Sequence, residues 1–202
     1  MTTTTPDPLP QAQGYLARLS TTRANARAGL VADSGVSILL IAAGLWFSRG
    51  GALVDGALIA AGLLAFSLVE YGFHRWLFHG RPSSAQQGHG KHHDDPHGYD
   101  ALPFFLPVFG MLALAASLSF LMPAGAAMLL AGAIAAGYAG YGLAHTAIHA
   151  VRFRHPVLVR WAASHHIHHY HPERNFGVTT PLWDYVFGTR YVPQRAVPSV
   201  DR

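Results

Sequence analysis

The chain has 202 residues, half of them hydrophobic and only 12% charged, where soluble domains average roughly 25% charged. That balance points to an integral membrane protein, and the length suits one domain. Cysteine is absent while histidine occurs 14 times, which excludes disulfides and thiolate metal sites and leaves nitrogen and oxygen as the ligands for any metal.

In chain order, residues 1–30 begin MTTTTPDPLPQAQG, polar and proline-containing, with no apolar stretch before Val31. They read as a flexible cytoplasmic tail rather than a signal peptide. Residues 31–202 form a single integral-membrane domain with apolar segments at about 31–47, 52–69, 104–122 and 124–148. These pair as two hairpins that reverse at SRGGA and MPAGA, rich in Gly or Pro. A spanning helix needs about 17 to 25 apolar residues. The second pair meets that length; the first is short and carries Asp33 and Asp55 near its ends, which leaves tilt or a shallow hairpin open for it. The fourth segment, AGAAMLLAGAIAAGYAGYG, is rich in small residues that let helices approach closely in lipid. The expected fold is all-α and polytopic, with four transmembrane helices and a cytoplasmic-face helical cap made from 70–103 and 149–190.

With four crossings, both termini and the loop 70–103 share one side. Of the 14 Lys and Arg residues, 13 then lie on that side and Arg49 alone lies opposite. The positive-inside rule makes that side cytoplasmic. Topology thus accounts for the net charge of +4, and nucleic acid is not expected as a partner.

The histidines fall in four clusters on the same side: HRWLFH (His74, His79), HGKHH (His89, His92, His93), HTAIH (His145, His149) and HHIHH (His165, His168, His169). A helix turns about 100° per residue, so positions i, i+3 and i+4 share one face. The two His-x-x-His-His runs therefore present three imidazoles each, and His145 and His149 form an i, i+4 pair. His74 and His79 lie about 140° apart on an α-helix, the weakest pair geometrically. Ten imidazoles exceed the needs of one four-coordinate zinc, and two metals sharing a pocket fit better. His97, His155, His166 and His171 stay outside the set. No Glu-x-x-His motif of the soluble di-iron bundles occurs. Glu70, Asp94, Asp95, Asp100, Glu173 and Asp184 read as loop or interfacial charges, with orientation of an imidazole N–H as the alternative. Tyr71, Tyr170 and Trp183 are candidates to line the pocket, although aromatic residues are expected at a membrane interface anyway.

The boxes, their order and their separations resemble the membrane-bound fatty acid hydroxylase and sterol desaturase superfamily of histidine-rich di-iron enzymes over about Glu70 to Thr189. The tail, with Asn175-Phe176-Gly177, Trp183-Asp184 and Phe187-Gly188-Thr189, is most like the fatty acid 2-hydroxylases, as is HGKHHDDPHGYDALPFFLP. The resemblance implies that His74, His79, His89, His92, His93, His145, His149, His165, His168 and His169 are the metal-binding and catalytic histidines. It further implies two iron ions, with zinc as an isolated substitute, and O₂ as co-substrate. The implied reaction is C–H hydroxylation of a lipid acyl chain by a membrane-bound non-haem di-iron monooxygenase. The 30 residues before Val31 cannot hold a fused cytochrome b5 domain, so a separate electron donor is expected, such as cytochrome b5, a ferredoxin or a reductase. Ala101 and Leu102 depart from the family pattern, which has a basic residue before the leucine. A carotenoid or sterol hydroxylase or desaturase is the enzymatic alternative. A non-catalytic metal-binding membrane protein, a transporter or sensor, is the alternative of another class.

Overall fold

Alanine and glycine leave a helix thin enough to be approached from several sides, and helix α6 (Ala124–Ala150) has that composition. In the computed structural model, which describes residues 10–99 and 101–193, α6 is the central helix. Ala127, Leu129, Ala131 and Ala133 are fully buried along it. Helix α2 (Arg23–Phe47) packs antiparallel to it, with Ile41 opposite Gly132 and Phe47 opposite Gly125. Helix α3 (Ala52–Gly72) packs parallel to it, with Gly62 opposite Ala133 and Phe66 opposite Gly137. A Cβ at Gly62 would lie 2.6 Å from that of Ala133, so this approach requires glycine. Parallel packing also brings the C-terminal end of α3, which His74 follows, level with that of α6, which carries His145, at one end of the bundle.

Around this core lie α1 (Pro10–Ser20), α4 (Ser84–Asp94), α5 (Phe105–Leu118), α7 (Pro156–Tyr170) and the short α8 (Leu182–Val186); no strand occurs among the described residues. Val36, Leu40, Ala115, Ala131 and Ala135 form a core joining α2, α5 and α6. The outward faces remain apolar: Trp46 is 83% exposed and Leu53 92%. Such extensive apolar exposure on long helices is what a lipid environment accommodates.

Three helical stretches are long and apolar enough to cross a membrane: Arg23–Phe47, Ala52–Phe78 and Ala124–Ala150, of 25, 27 and 27 residues. The length expectations are therefore reversed for three segments. The first hairpin, expected to be short, has full-length helices because α2 starts well before Val31 and α3 continues past Val69. The segment expected at 104–122 has a helix of 14 residues only, about 21 Å long, against a hydrocarbon core of about 30 Å. After Leu118 the chain passes through turns to Pro123, whose ring cannot continue a helix.

The tail is also shorter than its sequence suggests. Thr22 caps α2 by accepting a hydrogen bond from the Asn25 backbone N–H (3.2 Å). Polar composition hid a helix start that the cap supplies. Residues 1–9 of that tail lie outside the described residues, as does Asp100. Asn25 is buried and donates to the Ala101 and Leu102 carbonyls (3.3 and 3.0 Å), while its Oδ1 accepts from Phe104 N–H (3.0 Å). This ties the run before α5 to the start of α2. Asp55 accepts from Ser48 Oγ (2.5 Å) and closes the first hairpin turn.

The glycine contacts make a direct prediction. Gly62→Val, which forces α3 off α6, is expected to destabilise the fold by about 1–3 kcal/mol. Gly110→Ala, at a site where an added Cβ meets nothing within 4 Å, is expected to be neutral. Thermal unfolding in detergent compares the two.

Candidate metal centre

His74 and His79 would diverge on an α-helix, but the chain rewinds there into a π-helix, Phe73–Phe78, directly after α3. The His79 N–H donates to the His74 carbonyl (3.2 Å), an i to i+5 bond. This wider turn places the two rings on one side, with centroids 5.2 Å apart. The pair judged weakest by α-helical spacing is thus assembled by a local change of helix type.

Helix α4 is capped by Ser83, which accepts from Gln86 N–H (3.1 Å). Helix α7 starts with Pro156 at its first turn, where a missing N–H does no harm. It is held against the end of α6 by Ile148, Ala162 and Val178, and by Trp161, whose indole N–H donates to the Val178 carbonyl (2.8 Å).

These elements bring all ten boxed histidines together in two groups of five, each with its ligand nitrogens within 4.8 Å of one another. The first group is His74, His79, His89, His93 and His168; the second is His92, His145, His149, His165 and His169. The three imidazoles expected on one face of each His-x-x-His-His run are therefore divided. The i and i+4 histidines stay together, and the i+3 histidine crosses to the other group. Each group so takes one ring from the other's helix, and the His93 and His169 rings stack at 4.4 Å where the groups meet.

The inner nitrogens suit a cation. His89 Nε2 lies 3.1, 3.0 and 3.1 Å from the Nε2 atoms of His74, His79 and His93. One ring nitrogen offers a single proton or a single lone pair, so three hydrogen bonds cannot account for this convergence. Metal–nitrogen bonds of about 2.0–2.1 Å at right or tetrahedral angles separate ligand nitrogens by about 2.8–3.4 Å. In the second group His165 Nε2 lies 3.1 Å from His149 Nε2 and 3.2 Å from His169 Nε2. His92 Nε2 and His145 Nε2 are buried there with no hydrogen-bond partner among the described residues. Each group could hold one transition-metal ion, for which imidazole is a suitable ligand.

Burial keeps these rings uncharged. It pushes His79 down to about 4, and His92, His168 and His169 to about 3, with neighbouring imidazoles adding to the effect. His89, His93 and His165 are lowered by the same cause.

Two outer nitrogens of the first group are held by backbone. His74 Nδ1–H donates to the Phe176 carbonyl (2.5 Å) and His168 Nδ1–H to the Arg174 carbonyl (2.6 Å). That fixes the tautomer with the Nε2 lone pair facing inward. The loop carrying these carbonyls rests on two carboxylates whose sequence reading was only general. Asp184 accepts from Phe176 and Gly177 N–H (2.8 and 2.9 Å), and Glu70 accepts from Val178 and Thr179 N–H (2.7 and 2.9 Å). Both are buried, so neither is an interfacial charge. The available signal was the Asn175-Phe176-Gly177 run, but nothing local says which carboxylate it meets.

The remaining candidates lie apart. His97, His155 and His166 are exposed, and His171 pairs with Glu173 at 3.8 Å. Asp94, Asp95 and Glu173 are on the surface. Tyr170 is 85% exposed, whereas Tyr71 is buried behind the first group and hydrogen-bonds Thr189 (3.0 Å). Trp183 donates to Ser67 Oγ (3.0 Å) and docks α8 on α3. A cleft of about 590 Å³ reaches the first group, lined by Phe78, His79, Gln86, His89 and His93 among others.

The lowered histidines set a pH response. In the unfolded chain their ordinary value is 6.5, so below that pH the unfolded state binds protons that the folded state refuses. Stability of the metal-free protein is therefore expected to be level above pH 6.5 and to fall steadily from there toward pH 4 and 3. Melting temperatures followed by circular dichroism across pH 8 to 4 check this.

Residues 59–189 match the family model described as fatty acid hydroxylase. The chain is 35% identical to the fatty acid 2-hydroxylase of Rattus norvegicus over 167 residues, 74% of this chain and 42% of that protein. It is 32% identical to a dihydroceramide fatty acyl 2-hydroxylase of Arabidopsis thaliana over 149 residues, 66% of this chain and 60% of that protein. The chain thus spans about half the length of these curated relatives. A solved structure, full-length scs7p with only the hydroxylase domain visible, superposes with a TM-score of 0.74 at 28% identity, covering 89% of this chain and 71% of that one. By sequence and by fold, the chain belongs to the fatty acid hydroxylase family.

Proposed function

We propose that this protein hydroxylates a lipid acyl chain at the 2-position, using O₂ and two iron ions held by the ten boxed histidines. The observation that carries this reading is the pair of five-imidazole groups at the end of an apolar helix bundle, in a chain whose relatives are named fatty acid 2-hydroxylase and dihydroceramide fatty acyl 2-hydroxylase.

The ions, when bound, supply the O₂ activation needed to attack an unactivated C–H bond. The chain's own residues do the rest. Uncharged imidazoles present Nε2 lone pairs without proton competition near neutral pH. Phe78 stacks on His89 (5.0 Å) and covers the first group with an apolar face. The cleft beside it gives small molecules a path inward. A site where apolar helices end can receive an acyl chain that stays in the bilayer, which removes the need to desolvate it in water. Electrons come from a carrier such as cytochrome b5, a ferredoxin or a reductase.

In this reading residues 31–202 act as one membrane domain with four crossings, and the histidine end is cytoplasmic. Supporting the fourth crossing, the chain through α5 is tied to the start of α2 at Asn25 and reaches its end where Gly125 meets Phe47. It therefore runs the length of α2 although its helix is short. Supporting the sidedness, 13 of the 14 Lys and Arg residues lie with the histidine end in this topology.

Expression in cells without the activity, followed by mass spectrometry of lipids, tests the reaction. O₂-dependent 2-hydroxy acyl chains are expected, and an altered carotenoid pattern without them would overturn the assignment. His92→Ala and His168→Ala, each removing one ligand, are expected to lower turnover by about 100-fold or more, while His155→Ala at the surface leaves it unchanged. Because the chain has no cysteine, sidedness can be read cleanly: Gln87→Cys is expected to label from the cytoplasm and Arg49→Cys from the opposite face.

A further inference from the structure

The ten imidazoles divide evenly, but their outer nitrogens do not. In the first group His74 and His168 each donate an Nδ1–H to a backbone carbonyl. In the second group His165 Nδ1 and His169 Nδ1 are buried with no hydrogen-bond partner among the described residues. The two groups therefore differ in how firmly their rings are held before any metal arrives.

The difference traces to one loop. Asn175 has a φ of 53°, in the left-handed region that asparagine tolerates better than most residues, and the carbonyls on either side of it reach histidines of two different helices. Asn175 is itself fixed: its Nδ2 donates to the Ser164 carbonyl (3.1 Å) and its Oδ1 accepts from Tyr191 N–H (2.7 Å). Asp184 accepts from the two N–H groups that follow, and from Thr189 Oγ (2.7 Å), which in turn meets Tyr71 OH. Glu70 takes the next two N–H groups and Thr179 Oγ (2.5 Å). Each carboxylate thus accepts three hydrogen bonds, and four successive backbone N–H groups, 176 to 179, are committed.

We propose that Asp184 and Glu70 are positioning residues that hold the Arg174 and Phe176 carbonyls on His168 and His74, making the first group the tighter of two unequal metal positions. This rests on the two-metal reading above. The physical reason is preorganisation. A carbonyl on Nδ1–H fixes both tautomer and ring direction and strengthens the Nε2 donor, whereas rings without that partner must be ordered by the metal itself.

Zinc provides the readout. The full chain, purified in detergent and loaded with Zn²⁺, is challenged with a chelator while bound zinc is counted. Two zinc ions per chain leaving in a fast and a slow phase are expected. Asp184→Asn and, independently, Glu70→Gln are expected to speed the slow phase by about 10-fold or more and leave the fast phase alone. Two backgrounds assign the phases. With His149→Ala, which keeps the first group, one zinc leaves slowly and Asp184→Asn accelerates it. With His79→Ala, which keeps the second, one zinc leaves fast and Asp184→Asn has no effect. Equal acceleration in both backgrounds, none in either, or a slower second group overturns the proposal. Glu70→Gln decides alone if Asp184→Asn does not fold. A wild-type chain that binds no zinc overturns the two-metal reading itself, a different result from two equivalent zinc ions.

Discussion

Buried lone pairs that face one another repel unless something positive lies between them, and the rest of this structure is organised around ten such nitrogens. Four Nε2 atoms of the first group converge to about 3 Å, and the second group repeats the arrangement. Protonation offers no relief, because burial opposes charging the rings. The convergence is therefore relieved best by cations, and packing elsewhere in the protein must hold it ready for them.

That packing comes from the least reactive residues in the chain. Alanine and glycine along α6 allow α2 and α3 to approach closely, which fixes the height at which His74 and His145 emerge. A bulkier α6 would push the helices apart and separate the two histidine pairs that form the floor of the site. The apolar bundle and the histidine site thus depend on the same small side chains. The apolar outer faces need lipid, and the thin inner helix needs close neighbours.

A second layer of control lies in backbone rather than side chains. Carbonyls of Arg174 and Phe176 orient His168 and His74, and those carbonyls are aimed by carboxylates more than a hundred residues apart in sequence, Glu70 and Asp184. The match to the fatty acid hydroxylase family model, residues 59–189, contains all of these parts. The loop, more than any one histidine, links the end of α3 to the end of α7.

Sequence by itself determined the helical, membrane-like character, the small-residue helix and the ten histidines, because apolar runs, composition and i, i+3, i+4 spacing are local properties. It did not determine how those histidines divide. The i+3 ring of each box crosses to the other group, and that depends on how α4 and α7 face each other across the bundle. Nor could α-helical periodicity foresee the π-helical turn that aligns His74 with His79, since that periodicity presumes the i to i+4 bonding the turn departs from. The start of α2 and the short α5 escape hydropathy for a related reason: it reports which residues avoid water, while caps and turns decide where a helix begins and ends. Glu70 and Asp184 read as ordinary charges in the sequence, and only tertiary structure buries them against a loop whose N–H groups they accept.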